Sequence, residues 1–515
     1  MTPNFIAVPN VYFDGFRCTM NSAPATSSKP LMASPQPPSY KAIAEDRTDS
    51  VPSNDRSNED GDAQDEALAR SLRMKVDIRL CTIAGVLCSL NLLDSGVISS
   101  ASVTSMLTDL DLTGNRYSVS IFIFTIASIA FQLPSTIAVR TFGPRRWFAF
   151  ITFSFGLITM CTAFVTTWKQ MIALRVLLGM AMSGIYPGLT YLISTWYLRS
   201  EQQTRFAYMQ TGEVIILATG SIVNFGLNKL DGDGGLRGWQ YMFLVQGLIA
   251  YIFGILTYFW MVDFPEQAHN SIWFLTPEEQ ALAVSRIQAD RKDVEADPFT
   301  WPKVLIHALD PKVYGFAILF FLLNLVSTSL SYFLPIILQS GMGFSADKSI
   351  ILSAPPYYYA TIPVLLSSLV SDKFRLRGPV IVFNSLCLIA GFGMLGFADN
   401  IAVRYVGTFL ATGAYISNWA ALSAYYTSNI AGQWKRAFTA ATVAAFNGAG
   451  GIAGSFIVRQ EEAPRYVTAV WVSIGSHVGI VLFVGLFSGW FWFANRRQEN
   501  GKKLLEGTEG FRYTF

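Results

Sequence analysis

Residues 79–103 read RLCTIAGVLCSLNLLDSGVISSASV, a run in which only Arg79 and Asp94 carry charge. A helix needs about 20 predominantly apolar residues to cross the hydrocarbon core of a bilayer. This stretch therefore reads as a membrane span. Working outward, runs of the same kind recur at 117–139, 147–167, 171–197, 205–228 and 239–261. After about fifty polar residues they resume at 313–338, 349–371, 378–398, 402–428, 437–457 and 467–494. The composition agrees: of 515 residues, 51% are hydrophobic and 14% charged, against roughly 25% charged in soluble domains. The expected fold is an all-α integral membrane protein of twelve transmembrane helices in two six-helix halves.

Loop charges orient these spans. Arg70, Arg73 and Lys75, then Arg140, Arg145 and Arg146, then Arg199 and Arg205 mark alternate loops of the first half. Lys373, Arg375 and Arg377, then Lys435 and Arg436, then Arg496 and Arg497 repeat the pattern in the second. The alternation predicts both termini on the cytoplasmic side. It also predicts two halves related by duplication, which suits alternating access to a site between them. The expected organisation is a disordered cytoplasmic tail over 1–77, a six-helix bundle over 78–262, a cytoplasmic linker with a short helix over 263–312, a second bundle over 313–495 and a cytoplasmic tail over 496–515. In the linker, Thr276-Pro277-Glu278-Glu279 carries a helix-start pattern: a Thr cap, Pro at the first helical position and Glu at the third.

Several function classes fall away. A net charge of +3 gives no footprint for nucleic acid. Cys81, Cys88, Cys161 and Cys387 lie in apolar runs and Cys18 in the polar tail, so neither a disulfide framework nor a zinc site is expected. No phosphate-binding glycine loop, nucleophile elbow or catalytic carboxylate pair stands out, so neither an enzyme nor a cofactor is expected.

Six segments carry a family resemblance: FGPRRW (142–147), ALRVLLGMAMSGIYPG (173–188), SLSYFLP (329–335) with LSAPPYYYA (352–360), and NIAGQWKRAFTAA (429–441) through APRY (463–466). Together they resemble the allantoate permease branch of the anion:cation symporters, a mostly fungal group in the major facilitator superfamily. The resemblance implies proton-linked uptake of small carboxylates or vitamins at the plasma membrane, with a cavity lined by spans one, four, seven and ten. It also implies gating at the inner helix ends by Gly143, Arg145 and Arg146 and by their echo Asp372 and Lys373. A monomer suffices for this fold. Where the branch usually has Arg after the Asp of span one, this chain has Ser95. Gln132 and Met182 stand where carboxylates are common.

Ionisable groups inside apolar spans cost about 2.5–3.5 kcal/mol or more at the bilayer centre, so each should face a cavity or a partner. Four qualify: Asp94, Arg175, Glu213 and His477. Asp94 lies roughly 24 Å from the inner end of span one and Arg175 about 10 Å from the outer end of span four, comparable depths at which they can pair. Arg175 then serves as a carboxylate anchor with Asp94 as its resting partner, or else it snorkels to the headgroups. Glu213 sits where desolvation suits proton binding and release, or where a structural hydrogen bond is needed. His477 reads as a packing residue. Tyr186, Asn324, Tyr332, Tyr357, Asn418, Trp419 and Asn447 are polar or aromatic groups that either orient a solute or pack helices. Gly184-xxx-Gly188 and Gly450-xxx-Gly454 read as close helix approaches, with hinges as the other reading.

The expected partners are a small organic solute, protons and the lipid bilayer. The rival readings are export of a secondary metabolite, favoured by the lost charges, and a nutrient sensor that binds solute without moving it.

Overall fold

A computed structural model describes residues 68–515 apart from 113, 198, 272–273, 292–305, 375, 432, 501–504 and 506–510. Most of the expected N-terminal tail lies outside the described residues. Its end does not: the chain is already helical at Leu68, the first described residue, well before the expected boundary at 77. The reason is a stripe at helical spacing hidden among charges. Leu72, Val76 and Leu80 are all at most 3% exposed and pack in one cluster with Trp196, Tyr197 and Ala283.

Twelve long helices answer the twelve apolar runs among the described residues. They are α1 (Thr82–Ala101, continuous with the turns before it), α2 (Arg116–Phe142), α3 (Pro144–Thr162), α4 (Trp168–Met182 and Ile185–Trp196), α5 (Arg199–Asn228) and α6 (Gly238–Trp260). The second set is α7 (Pro311–Ile336), α8 (Ala354–Phe374), α9 (Arg377–Phe397), α10 (Ile401–Asn429), α11 (Gln433–Gly454) and α12 (Val467–Glu499). Seven are long and apolar enough to cross a membrane, and α2 makes an eighth if its bent halves count as one. The remaining four, α3, α5, α10 and α11, have comparable length but carry charged first turns or many Ser, Thr, Asn and Gly residues. Large apolar side chains such as Leu369, Phe383, Leu482 and Leu486 are more than half exposed, as lipid-facing groups are.

The two sets pack by the same plan. α1 lies on α5, α2 on α4 and α3 on α6, while α7 lies on α11, α8 on α10 and α9 on α12. Between the sets, α1 meets α7, α2 meets α11 and α5 meets α8. Exchanging the sets maps each of these pairings onto another or onto itself, the pattern an internal repeat produces. Chain entry to α1 and exit from α12 share one end of the bundle, called here the tail face.

Prolines shape two helices. α2 bends by 49° between Gln132 and Pro134, because proline removes a ladder hydrogen bond. α4 breaks at Ser183–Gly184, one turn before Pro187, whose ring would clash with the carbonyl four residues back, that of Ser183. At the break a Cβ on Gly184 would overlap Ser135, and one on Gly188 would lie 2.8 Å from the Phe148 ring. Cβ atoms on Gly450 and Gly454 would strike the α7 carbonyls of Phe321 and Leu325. Both glycine pairs are thus close approaches between helices.

The linker helix spans Pro277–Arg291 and begins with the expected reciprocal cap: the Glu279 N–H donates to Thr276 Oγ1 at 3.3 Å and the Thr276 N–H to Glu279 Oε2 at 3.1 Å. Lys75, preceding α1, bonds Glu279 at 2.6 Å and holds this helix to the first set.

At the start of α7, Asp310 caps the helix by accepting from the Lys312 N–H at 3.0 Å and pairs with Lys435 of α11 at 2.6 Å. Burial pushes the Asp310 carboxyl up, but Lys435 and Lys312 outweigh it and hold it below the ordinary range. A lowered carboxyl stabilises the fold when ionised, and the contribution disappears as pH falls through the acidic range. Asp310→Asn keeps a capping side chain but removes the charge, so we expect a loss of about 1 kcal/mol at pH 7. In a thermal-unfolding series the gap between variant and parent should close below about pH 4.

Candidate functional site

The centre of the first set is an ion pair. Asp94 in α1 and Arg175 in α4 meet with Nη1 donating to Oδ2 at 2.7 Å, their side chains 0% and 2% exposed. The two depths expected from the sequence do coincide. The contact uses one arm of each fork, and among the described residues Arg175 Nη2 and Asp94 Oδ1 are buried without a hydrogen-bond partner. A guanidinium half-engaged in this way retains an N–H for a second acceptor.

Two tyrosines flank the pair electrostatically, Tyr117 of α2 and Tyr332 of α7. The Tyr117 hydroxyl donates to the Tyr332 carbonyl at 3.0 Å, and its ring meets Phe333 edge-on at 5.4 Å. The pair therefore sits where the two sets of helices meet. Beyond it, Ser331 approaches the Tyr415 hydroxyl at 3.4 Å. Tyr332, Tyr357 and Tyr415 are all buried in the second set.

A second cluster lies nearer the tail face. The Tyr186 hydroxyl donates to Glu213 Oε2 at 2.6 Å, and the Cys88 thiol lies within hydrogen-bonding reach of the same carboxyl. Glu213 is 5% exposed and Tyr186 is 42% exposed. Cys88 and Asp94 are six residues apart on α1, which separates the clusters by roughly 9 Å along the axis.

The other expected site residues divide. Trp419 is partly open and meets the Phe320 ring at 5.6 Å. Asn324 spends its amide on the Asn447 carbonyl at 2.8 Å, tying α7 to α11. Asn418, 0% exposed, donates to Ser385 at 3.0 Å between α10 and α9. Each amide N–H₂ thus ties two helices, the packing use that stood beside substrate contact among the expectations. In a bilayer interior an amide is held most readily by a neighbouring helix. His477 is buried in α12, its Nδ1 3.3 Å from the Ser473 carbonyl. Tyr117, Tyr415, Ser331 and Cys88 were not singled out from sequence.

Of the expected gate residues, Gly143, Arg145 and Arg146 lie at the α2–α3 turn and Asp372 and Lys373 at the end of α8. Gly143 has φ +84°, a conformation only glycine adopts readily. The Arg145 N–H bonds Asp263 at 3.3 Å, while its Nε donates to the Tyr258 carbonyl at 2.7 Å. Burial pushes the Asp263 carboxyl up and Arg145 draws it down, leaving it above the ordinary range. Arg146 and Lys373 are exposed, and the side chain of Asp372 lies outside those described. These bonds hold the turn to the end of α6 within the first set.

Away from the tail face, polar contacts join the sets. Gln339 donates to the Val103 carbonyl at 3.1 Å, Asn228 to Asp347 at 2.7 Å, and Lys229 pairs with Asp347. Further in, the Thr219 and Tyr358 hydroxyls lie 2.8 Å apart along the antiparallel α5–α8 seam.

A family model described as Major Facilitator Superfamily matches residues 85–458. An uncharacterized transporter of Schizosaccharomyces pombe, C1039.04, is 30% identical over 85% of this chain and 86% of its own length. The high-affinity nicotinic acid transporter of Saccharomyces cerevisiae is 28% identical over 78% of this chain and 74% of its own. The MFS-type transporter cnsO of Penicillium expansum is 29% identical over 86% of each. Among solved structures, the proton:xylose symporter XylE bound to 6-bromo-6-deoxy-D-glucose superposes with a TM-score of 0.64 at 17% identity, covering 80% of this chain and 95% of that one.

Removing one partner of a buried ion pair costs about 3–5 kcal/mol, because the other charge is stranded. Arg175→Ala should therefore lower the unfolding midpoint of the purified protein markedly. Adding Asp94→Asn should restore much of the loss, and a double-mutant cycle on thermal unfolding reads the coupling directly.

Proposed function

The chain belongs to the major facilitator superfamily, and from that membership we propose that it carries a small organic acid, a carboxylate or a vitamin-like compound, by proton-linked alternating access. The coarse part is plain: it is a multi-pass integral membrane protein and a transporter of small solutes, not an enzyme. The finer part rests chiefly on the half-engaged Arg175, whose free Nη2 can take a carboxylate oxygen beside Tyr117 and Tyr332. Its likeness to a nicotinic acid transporter supports the same class of solute.

In this mechanism Arg175 exchanges part of its bond with Asp94 for the solute, so no bare charge is created in the apolar interior. Tyr332 and Trp419 supply the aromatic walls. Glu213, released from Tyr186, holds or gives up a proton while the sets rock about the site. The contacts among Val103, Gln339, Asn228, Lys229 and Asp347 form the seal on the face away from the tails. Gly143, Arg145, Arg146, Asp372 and Lys373 form the latch on the other side. The 263–312 segment joins the two moving bodies, the tail face is cytoplasmic, the monomer is the working unit and the membrane is the plasma membrane. Within the superfamily we place the chain near the allantoate permeases on the six motifs quoted above.

One observation favours a second reading. Asp94 already neutralises Arg175, and Ser95, Gln132 and Met182 stand where that branch often has charge, which suits a less ionic solute and export.

Mass spectrometry of cells given mixed vitamins and small carboxylic acids separates the two. Accumulation of one acid, stronger at acidic pH, is expected. It should fall at least about tenfold in Arg175→Lys, which keeps the charge but loses the fork. Glu213→Gln should still exchange the acid but no longer concentrate it against a gradient. If no acid enters and a native metabolite appears outside, export replaces uptake.

A further inference from the structure

The described segment after α12 folds back over the tail face of the second set, and its contacts are those of a ligand in a site. The Asn495 side chain of α12 accepts from the Tyr513 N–H at 3.0 Å and donates to the Tyr513 carbonyl at 2.8 Å. Asn429, at the end of α10, does the same for the next residue, accepting from the Thr514 N–H at 2.8 Å and donating to its carbonyl at 2.9 Å. Two side-chain amides from helices distant in sequence thus read both main-chain groups of consecutive residues. A neighbouring β-strand does this for an extended peptide.

The side chains are recognised as well. The Tyr513 ring stacks on Phe491 at 4.5 Å and 15°, and Phe511 meets it edge-on at 5.2 Å. Its hydroxyl accepts from Lys312 Nζ of α7 at 2.8 Å, and Lys312 is only 4% exposed. At Gly378, the start of α9, a Cβ would come within 3.4 Å of Phe515. Arg512 pairs with Glu499 at 3.0 Å on the rim. Chain continuity alone requires none of this matching.

We propose that the tail-face ends of α7, α9, α10 and α12 form a built binding site for an extended aromatic peptide, filled in cis by Phe511–Phe515. While seated, this strap fixes the four helix ends to one another, so they move as one body. Its release takes the Tyr513 hydroxyl from Lys312 and the Thr514 main chain from the buried Asn429 amide. The site is independent of the solute and of the direction of transport.

The test uses the purified full chain, a variant lacking residues 511–515, and the synthetic peptide Phe-Arg-Tyr-Thr-Phe. Removal should lower the unfolding midpoint by about 4 °C or more. The peptide should restore it saturably, and the same peptide with Ala in place of Tyr should not. An unchanged midpoint on removal, or a loss that the peptide fails to restore, overturns the proposal. Should the shortened chain fail to fold, the full-length Asn429→Ala/Asn495→Ala variant serves instead. Its last residues should be trimmed by added carboxypeptidase at least about tenfold faster than the parent's, a loss of protection that follows opening of the strap. Equal trimming rates would reject the site.

Discussion

Taking a guanidinium and a carboxylate out of water costs several kcal/mol for each, and only close geometry offsets that. The 2.7 Å contact between Arg175 and Asp94 supplies such geometry across α1 and α4. Much of the surrounding structure is arranged around that contact. α1 must hold its depth relative to α4, which its packing on α5 secures. Tyr117 of α2 and Tyr332 of α7 both feel the charges of the pair, and the Tyr117 hydroxyl bonds the Tyr332 carbonyl across the two sets. A pair sharing only one arm of each fork keeps both charges compensated while leaving one donor and one acceptor of the fork unused among the described residues.

The helices that frame the pair are irregular where it matters. α4 carries Arg175 in its first segment and Tyr186 in its second, and the break between them lets the two side chains serve different clusters. Ser183 cannot keep its carbonyl in a straight ladder four residues before Pro187. Gly184 then allows the turn to press against Ser135. A proline and a glycine therefore separate an ion-pair site from a carboxyl–phenol site within a single span.

Much of this was legible beforehand. Span positions follow from long apolar runs, which the bilayer leaves little freedom to place otherwise. The Asp94–Arg175 pair was readable because charges inside spans are so few that depth alone nearly selects the partner. Tyr117 and Tyr415 were not readable, since aromatics make up 14% of the chain and no single one stands out. Asn418 and Asn324 stood out as amides inside spans, but which helix each would bond did not. An amide in a span looks like a recognition group, yet its nearest use is to tie two helices, and only coordinates tell which neighbour is close. The helix at 68–77 was hidden by its charges, and the seat for Tyr513 is assembled from residues nearly 200 apart, Lys312 and Asn495 among them.

The α3–α6 contact has a consequence for inheritance. Gly156 and Gly247 press backbone on backbone: a Cβ on Gly156 would collide with the Tyr251 main chain, and one on Gly247 would lie 2.6 Å from the Met160 nitrogen. Every substitution at a glycine adds at least a Cβ, so at these two codons a change at the first or second base always costs the fold. Only the third base drifts freely. Lineages carrying this protein should show silent variation there beside near-complete absence of replacement, even where the lipid-facing flanks of the same helices vary widely.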